Sequence, residues 1–275
     1  GKVTEVWFDG ACGEGPNGKK QVYDWKRYFA TVRRLQPHAL IAIMGPDIRW
    51  VGNENGLAAE TEWSARDGKW YPAECDVSIR PGWFYHASQD AKVKSLDHLL
   101  TIYYSSVGRN SVLLLNVPPD RRGLFHETDV ARLKELRRVL DATFAEDLAA
   151  GAKAEASSVR DAGHGPGGAV GAGGETFWMA AGDGAKPETV TLDLGAAKTF
   201  DVVLLQERIA LGQRIERFRV EAQRDGQWQT IAEGTTVGHK RLLRIDPTTA
   251  REVRVVIESS RGAPTLRRVG LFKRP

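Results

Sequence analysis

Through its first half this chain alternates apolar runs with stretches of helical spacing, and that alternation constrains the fold more than any other feature of the 275 residues. ALIAIMG at 39–45 and SVLLLNV at 111–117 are apolar almost throughout. Strands of that kind need cover on both faces, as in a parallel sheet packed between helices or closed into a barrel. TEVWFDG at 4–10 reads as another buried strand, and CDVSI at 75–79 with GWFYH at 82–86 gives a further one. Between them, Trp25, Tyr28, Phe29, Val32 and Leu35 recur at helical spacing until Pro37 stops the run. Residues 95–107 read as a second helix. A third runs from about His126 to Phe144, with Val130, Leu133, Leu136, Val139 and Leu140 among its apolar positions. About four strands precede that last helix, and closing a barrel takes about eight. The runs therefore fit an open parallel sheet or part of a barrel.

The composition then changes. Residues 145–156 are rich in Ala and 162–174 in Gly. After them, TVTLDLG, FDVVLLQE, RIERFRVEAQ, WQTIAEG, LLRID, EVRVVIES and LRRVGLF recur at roughly the 8–12 residue spacing of an all-β sandwich. We expect a boundary near residue 150, with a partial barrel at 1–150 and a β-sandwich at 151–275. The formal charge is +4, and the basic residues near the end (Arg267, Arg268, Lys273, Arg274) carry no interleaved aromatics. They read as a solvated face, and nucleic acid is not an expected partner. No stretch approaches the roughly 18 apolar residues of a membrane span. Two cysteines, Cys12 and Cys75, make no disulfide framework and have no metal-ligand spacing. The chain opens on Gly1-Lys2-Val3 without a basic-then-apolar leader, which reads as a mature or truncated start.

Asp9 closes an apolar strand and precedes Gly10, which places it at the strand's C-terminal end. In parallel barrels that end carries the active site. Glu54 falls in the loop of DIRWVGNENG, beyond the second strand, and Glu60 and Glu62 compete with it nearby. A retaining glycosidase needs two carboxyl groups about 5–5.5 Å apart, one a nucleophile and the other an acid/base. The sequence supplies such candidates.

EVWFDGA, RWVGNENG, AECDVSIRPGWFYH and SVGRNSVLLLNVPPDRRGLFHETD, in that order over residues 3–144, resemble family 29 α-L-fucosidases. Within that family they look closer to the branch that favours α-1,3/1,4-linked fucose. The resemblance implies that Asp9 is the nucleophile and Glu54 the acid/base, with Trp7 and Arg49 lining the fucose site. It also implies that Trp83, Tyr85 and His86 form an aromatic wall. The substrate would be a fucosylated oligosaccharide or glycan, and neither metal nor cofactor is implied. The family's catalytic domain is a (β/α)8-like barrel with further strands ahead of the nucleophile segment, so the resemblance implies that residues 1–150 are half of such a barrel. An open half barrel therefore predicts a homo-oligomer or a complementary barrel-half chain, and the alternative is an inactive fragment acting as a carbohydrate-binding or assembly protein.

Residues 153–275 resemble discoidin-like modules through AEASSVR, ETFWMA, VTLDLGAAKTFDVVLLQERIALGQRIERFRVEA and a terminal VGLFKR. Related modules hold calcium ahead of this T-[FY]-W segment, usually on Asp-Gly-Asp. Here Gly171-Ala172-Gly173 stands in that place, which weakens such a site because hard cations need charged oxygen ligands. Trp178 and Trp228 sit in strand-like alternation and are expected in the sandwich core.

Overall fold

The computed structural model describes residues 1–11, 20–66, 69–171 and 175–275. Cys12 and the Ala172-Gly173 part of the calcium segment lie outside the described residues. Strand β1 (Glu5–Phe8) runs parallel to β2 (Leu40–Ile43), with Trp7 beside Ala42. After β2 comes β3 (Arg49–Trp50), then a two-residue hairpin of β4 (Ala65–Arg66) and β5 (Lys69–Trp70). Next, β6 (Ala73–Ser78) lies parallel to both β3 and β7 (Val112–Asn116), with Trp50 beside Glu74 and Asp76 beside Leu114. A parallel bridge from Ala42 to Ile48 joins the two sets. The order is β1-β2-β3-β6-β7, an open run of five parallel strands. The sequence reading missed β3, which is too short to show a period. Gly82–His86, expected to extend a strand, does not form one. Pro81 ends the path of β6, and Ser78 Oγ donates to the Gly82 carbonyl at 2.7 Å, curling the chain over the strand end.

Helices α1 (Trp25–Leu35), α2 (Leu96–Ser105) and α3 (Glu127–Thr143) begin where the local chemistry caps them. Asp24 accepts from Arg27 N at 3.0 Å and Ser95 from His98 N at 3.2 Å, each satisfying an otherwise orphaned amide. Strand alternation sends Phe8 outward, where its ring meets Trp25 at 5.7 Å and Phe29 at 6.2 Å. Val77, Leu113 and Leu115 point the same way and pack with Leu99 and Ile102 of α2 and Leu133 and Leu136 of α3. The other face of the sheet is only partly covered: Glu74 and Asp76 are buried on it, but Leu40, Val112 and Leu114 are each more than 40% exposed. No helix among the described residues is long and apolar enough to cross a membrane.

The C-terminal part is a sandwich built on two long antiparallel strands, β10 (Glu188–Gln206) and β13 (Arg241–Ser260). Before them stand β8 (Lys153–Ala156) and β9 (Trp178–Met179); between them lie β11 (Ile215–Arg224) and β12 (Gln227–Gly234). After β13 come β14 (Thr265–Leu266) and β15 (Arg268–Phe272). The main sheet runs β12-β11-β13-β10-β15, with β8 also on β10 and a separate β9–β14 pair. Trp178, Phe200, Ile215, Phe218 and Val253 fill the core. Trp178 is wholly buried and its indole N–H reaches the Ser158 carbonyl at 2.9 Å. Trp228 is not in that core. It is half-buried beneath the Arg254 guanidinium, 4.3 Å from the ring centroid.

The two parts are joined tightly. Tyr104 of α2 packs with Val202, Leu204, Leu242 and Phe272 of the sandwich. Around this apolar patch, Asn110 donates to Ser64 Oγ at 2.6 Å and to Gln213 Oε1 at 3.1 Å, while Gln213 Nε2 reaches the Glu62 carbonyl at 2.9 Å. Arg241 and Arg109 both pair with Glu60. These donors satisfy the carbonyls of a loop that would otherwise carry buried, unpaired backbone.

Candidate active site

At the C-terminal ends of the parallel strands lies a cleft of about 490 Å³. Trp7, Asp9, Ile43, Trp50, Glu54 and Asp76 line one part of it, and Trp83, Phe84, Leu114 and Asn116 the other. Asp9 is the first residue past β1. Gly10 follows it at φ 75°, and a Cβ there would stand 2.5 Å from Met44 Cγ, so only glycine lets the chain turn at this point. Glu54 stands in the loop after β3, and Trp83 Nε1 donates to its Oε2 at 3.2 Å. Gly56, at φ 71°, lets that loop settle on Ile102 and Val77. Ile43 also holds a left-handed φ of 68°, a strained state for a β-branched residue, costing about 1–3 kcal/mol and often found at functional sites.

Beneath the cleft the inner face of the sheet is acidic. Glu74 and Asp76 occupy alternate positions on β6, and Glu5 stands on the same face of β1. Trp7 Nε1 donates to Glu74 Oε1 at 2.7 Å, and Trp50 Nε1 to Asp76 Oδ1 at 2.6 Å. Burial, and then the neighbouring Glu5, push the Glu74 carboxyl up to about 7, against the pull of the Trp7 bond. Burial also raises Asp76, with the charges of Glu54 and Asp9 adding to it. Asp76 therefore feels both of the carboxylates expected to do chemistry. Asn116 Nδ2 bridges Ser78 Oγ and the Trp83 carbonyl, each at 3.0 Å, and so fixes the Trp83 loop to the strand ends.

Of the residues expected at the site, Trp7, Asp9, Glu54 and Trp83 come together here. Arg49 does not. Being one residue out of phase with Trp50, it points to the opposite face, where it pairs with Glu62 and donates to the Trp63 carbonyl at 3.0 Å. Tyr85 and His86 also lie elsewhere, in a neighbouring pocket with Asp120, Arg122 and His126. Tyr85 is held there by its hydroxyl's bond to Asp90 at 3.3 Å and by the Arg80 guanidinium over its ring at 4.9 Å. Sequence reasoning missed Trp50, Asp76, Phe84 and Asn116 as lining residues. The signal was present in AECDVS, where Glu74, Asp76 and Ser78 alternate with apolar residues and so share one face. Among the described residues, no group of three or more His, Cys, Asp or Glu side chains could hold a metal ion. Cys75 is buried and free, and burial pushes its thiol up to about 11.

A carboxylate-lined cleft at the C-terminal ends of parallel strands, followed by a β-sandwich, fits a glycoside hydrolase domain joined to a discoidin-like module. The comparisons make this specific: the α-L-fucosidase family matches residues 2–143 and the F5/8 type C domain matches residues 153–269, and the chain belongs to the α-L-fucosidase family. Alpha-L-fucosidase 1 of Arabidopsis thaliana is 37% identical over 300 residues, covering 99% of this chain and 58% of that protein. A relative from Oryza sativa subsp. japonica is 40% identical over 306 residues, covering 99% and 56%. Among solved structures, SpGH29 superposes with a TM-score of 0.93 at 39% identity, covering 100% of this chain and 64% of that one. A Ruminococcus gnavus GH29 fucosidase in complex with fucose gives 0.88 at 32%, covering 99% and 61%. The chain thus spans between about half and two thirds of the length of these relatives.

Proposed function

We propose that this protein is a retaining α-L-fucosidase that removes terminal α-linked L-fucose from oligosaccharides, with Asp9 as nucleophile and Glu54 as acid/base. Asp9 attacks the anomeric carbon while Glu54 protonates the leaving glycosidic oxygen. The covalent fucosyl-enzyme is then hydrolysed by a water that Glu54 deprotonates. The observation that carries this reading is the shared cleft: both carboxylates line it, at strand C-terminal ends, and Asp76 between them senses both charges. The fucose bound in the Ruminococcus gnavus structure supports the sugar's identity. Trp7, Trp50, Trp83 and Phe84 supply apolar walls on which a sugar's C–H face can stack. By resemblance of its motifs, the chain belongs with the branch acting on 1,3- and 1,4-linked fucose. The domain division we adopt is 1–150 and 151–275.

The test is chemical rescue. Asp9→Ala loses most turnover on an aryl fucoside, and azide restores it with a β-fucosyl azide product; Glu54→Ala loses most turnover on poor leaving groups. Full activity in Asp9→Ala without azide sinks the nucleophile assignment.

The partly covered inner face favours a second element of the reading. With Leu40, Val112 and Leu114 exposed, the barrel needs further strands over this face. We propose that a second copy or a complementary barrel half, whether on another chain or on the same one, supplies them. A chain that stays uncovered would instead be an inactive carbohydrate-binding or assembly protein.

A further inference from the structure

A second cleft, also of about 490 Å³, opens where the sandwich meets helices α2 and α3, and it shares no lining residue with the carboxylate cleft. Tyr103 of α2 and Phe144, just beyond α3, form its apolar side. Its polar side comes from Gln206 at the end of β10, His239 and Lys240 before β13, and Arg267 and Arg268 around the start of β15. No Asp or Glu lines it.

The charges here do not balance. Arg268 is neutralised by Asp147 at 2.9 Å. Lys240 and Arg267 have no carboxylate partner among the described residues, and Arg267 Nε is buried without a hydrogen-bond partner. Burial holds the Lys240 ammonium below its ordinary range, with Arg268 adding to the effect. Burial likewise lowers the His239 imidazole, with Lys240 and Arg267 contributing. Lys240 and Arg267 are half-buried, and cations partly withdrawn from water are stabilised when an opposite charge meets them. The backbone that carries these groups is also held in place. His239 N donates to Asn110 Oδ1 at 2.7 Å, Gln206 Nε2 to the His239 carbonyl at 2.8 Å, and Arg267 N to the Gln206 carbonyl at 2.8 Å. Two cations without carboxylate partners, on a held backbone and beside an aromatic wall, have the form of a binding site.

We propose that this cleft binds a tetrahedral oxyanion of the sulfate or phosphate class, held between Lys240 and Arg267, either as the free ion or as an ester on a sugar. Two neighbouring cations without a carboxylate partner match a dianion better than they match a single carboxylate. The guanidinium of Arg267 offers charge-assisted bonds to the oxygens, and Tyr103 and Phe144 flank whatever carries the group.

The experiment titrates sodium sulfate and glucose 6-sulfate separately into the full chain, with sodium chloride at equal ionic strength as control. Binding is read from the His239 ring resonances, identified by their loss in His239→Gln, and by calorimetry. The expected result is a saturable shift in the wild-type protein, weakened about tenfold by Lys240→Met or by Arg267→Met. Tighter binding of the ester makes a sulfated sugar the source; equal binding makes it the free ion. A shift that fails to saturate or merely follows chloride overturns the proposal, as does equal affinity in both variants. The wild-type titration decides alone if a variant does not fold.

Discussion

Arg80 and Asp129 are both wholly buried, and two hydrogen bonds of 3.1 and 2.9 Å tie the guanidinium Nε to the carboxylate, locking the end of β6 to the first turn of α3. Asp129→Ala removes one partner and leaves a charge in the interior. Breaking such a pair costs about 3–5 kcal/mol. Asp90 keeps its bond to Arg80 Nη1 at 2.8 Å, so the lower end applies. Loss of an acidic residue from the helix's first turn adds about 0.3–1 kcal/mol. The expected total is about 3–4 kcal/mol, enough to move a urea midpoint by about 1 M or more. The chain has two cores and need not unfold in a single step. The barrel transition should therefore be followed by near-ultraviolet circular dichroism, beside Arg80→Met/Asp129→Leu. That double variant replaces the pair with apolar volume and is expected to recover most of the loss. Asp129→Ala within about 1 kcal/mol of the wild type would refute the reasoning, as would a double variant no better than the single one.

Three further outcomes follow from the geometry. Early product should carry the α configuration, as a covalent intermediate requires, and proton NMR showing β-fucose first would remove Asp9 from its role. Glu74 holds a proton in the folded state up to about 7, against an ordinary 4.5. The native state thus binds more protons than the unfolded chain between those values, and stability falls as pH rises through that window. Glu74→Gln should flatten that decline, and an unchanged slope in urea midpoints between pH 5 and 8 would contradict the assignment. Sedimentation at micromolar concentration is expected to show association through the inner face, weakened by Val112→Lys/Leu114→Lys; a monomer with full fucosidase activity would defeat the covering proposal.

Much of this was legible in the chain because two periods announce themselves. Continuous apolar runs located β2 and β7, and helical spacing located the three helices within a residue or two. What failed was phase and length. Trp50 and Arg49 are neighbours, and only the register of Trp50 beside Glu74 decides which of them enters the cleft. A two-residue strand has no period to read. Trp83, Tyr85 and His86 lie close in sequence, but a chain bending past Pro81 sends Trp83 to Glu54 and Tyr85 to Asp90. The carboxylates Asp9 and Glu54 were found from motif order, whereas Asp76 needed the observation that polar residues at every second position of a buried strand share one side.

The loop that carries Glu54 runs on to Glu60, Glu62 and Ser64, and its carbonyls are gripped from the sandwich side by Thr236, Gln213 and Arg241. The sandwich therefore works as a backstop for the segment that carries Glu54 rather than as a detachable cassette. A chimera carrying a different β-module would have to reproduce those three donors at the same places, or the Glu54 side of the cleft would drift. Exchange of this module between fucosidases should succeed only when the segment from Glu54 to Ser64 travels with it.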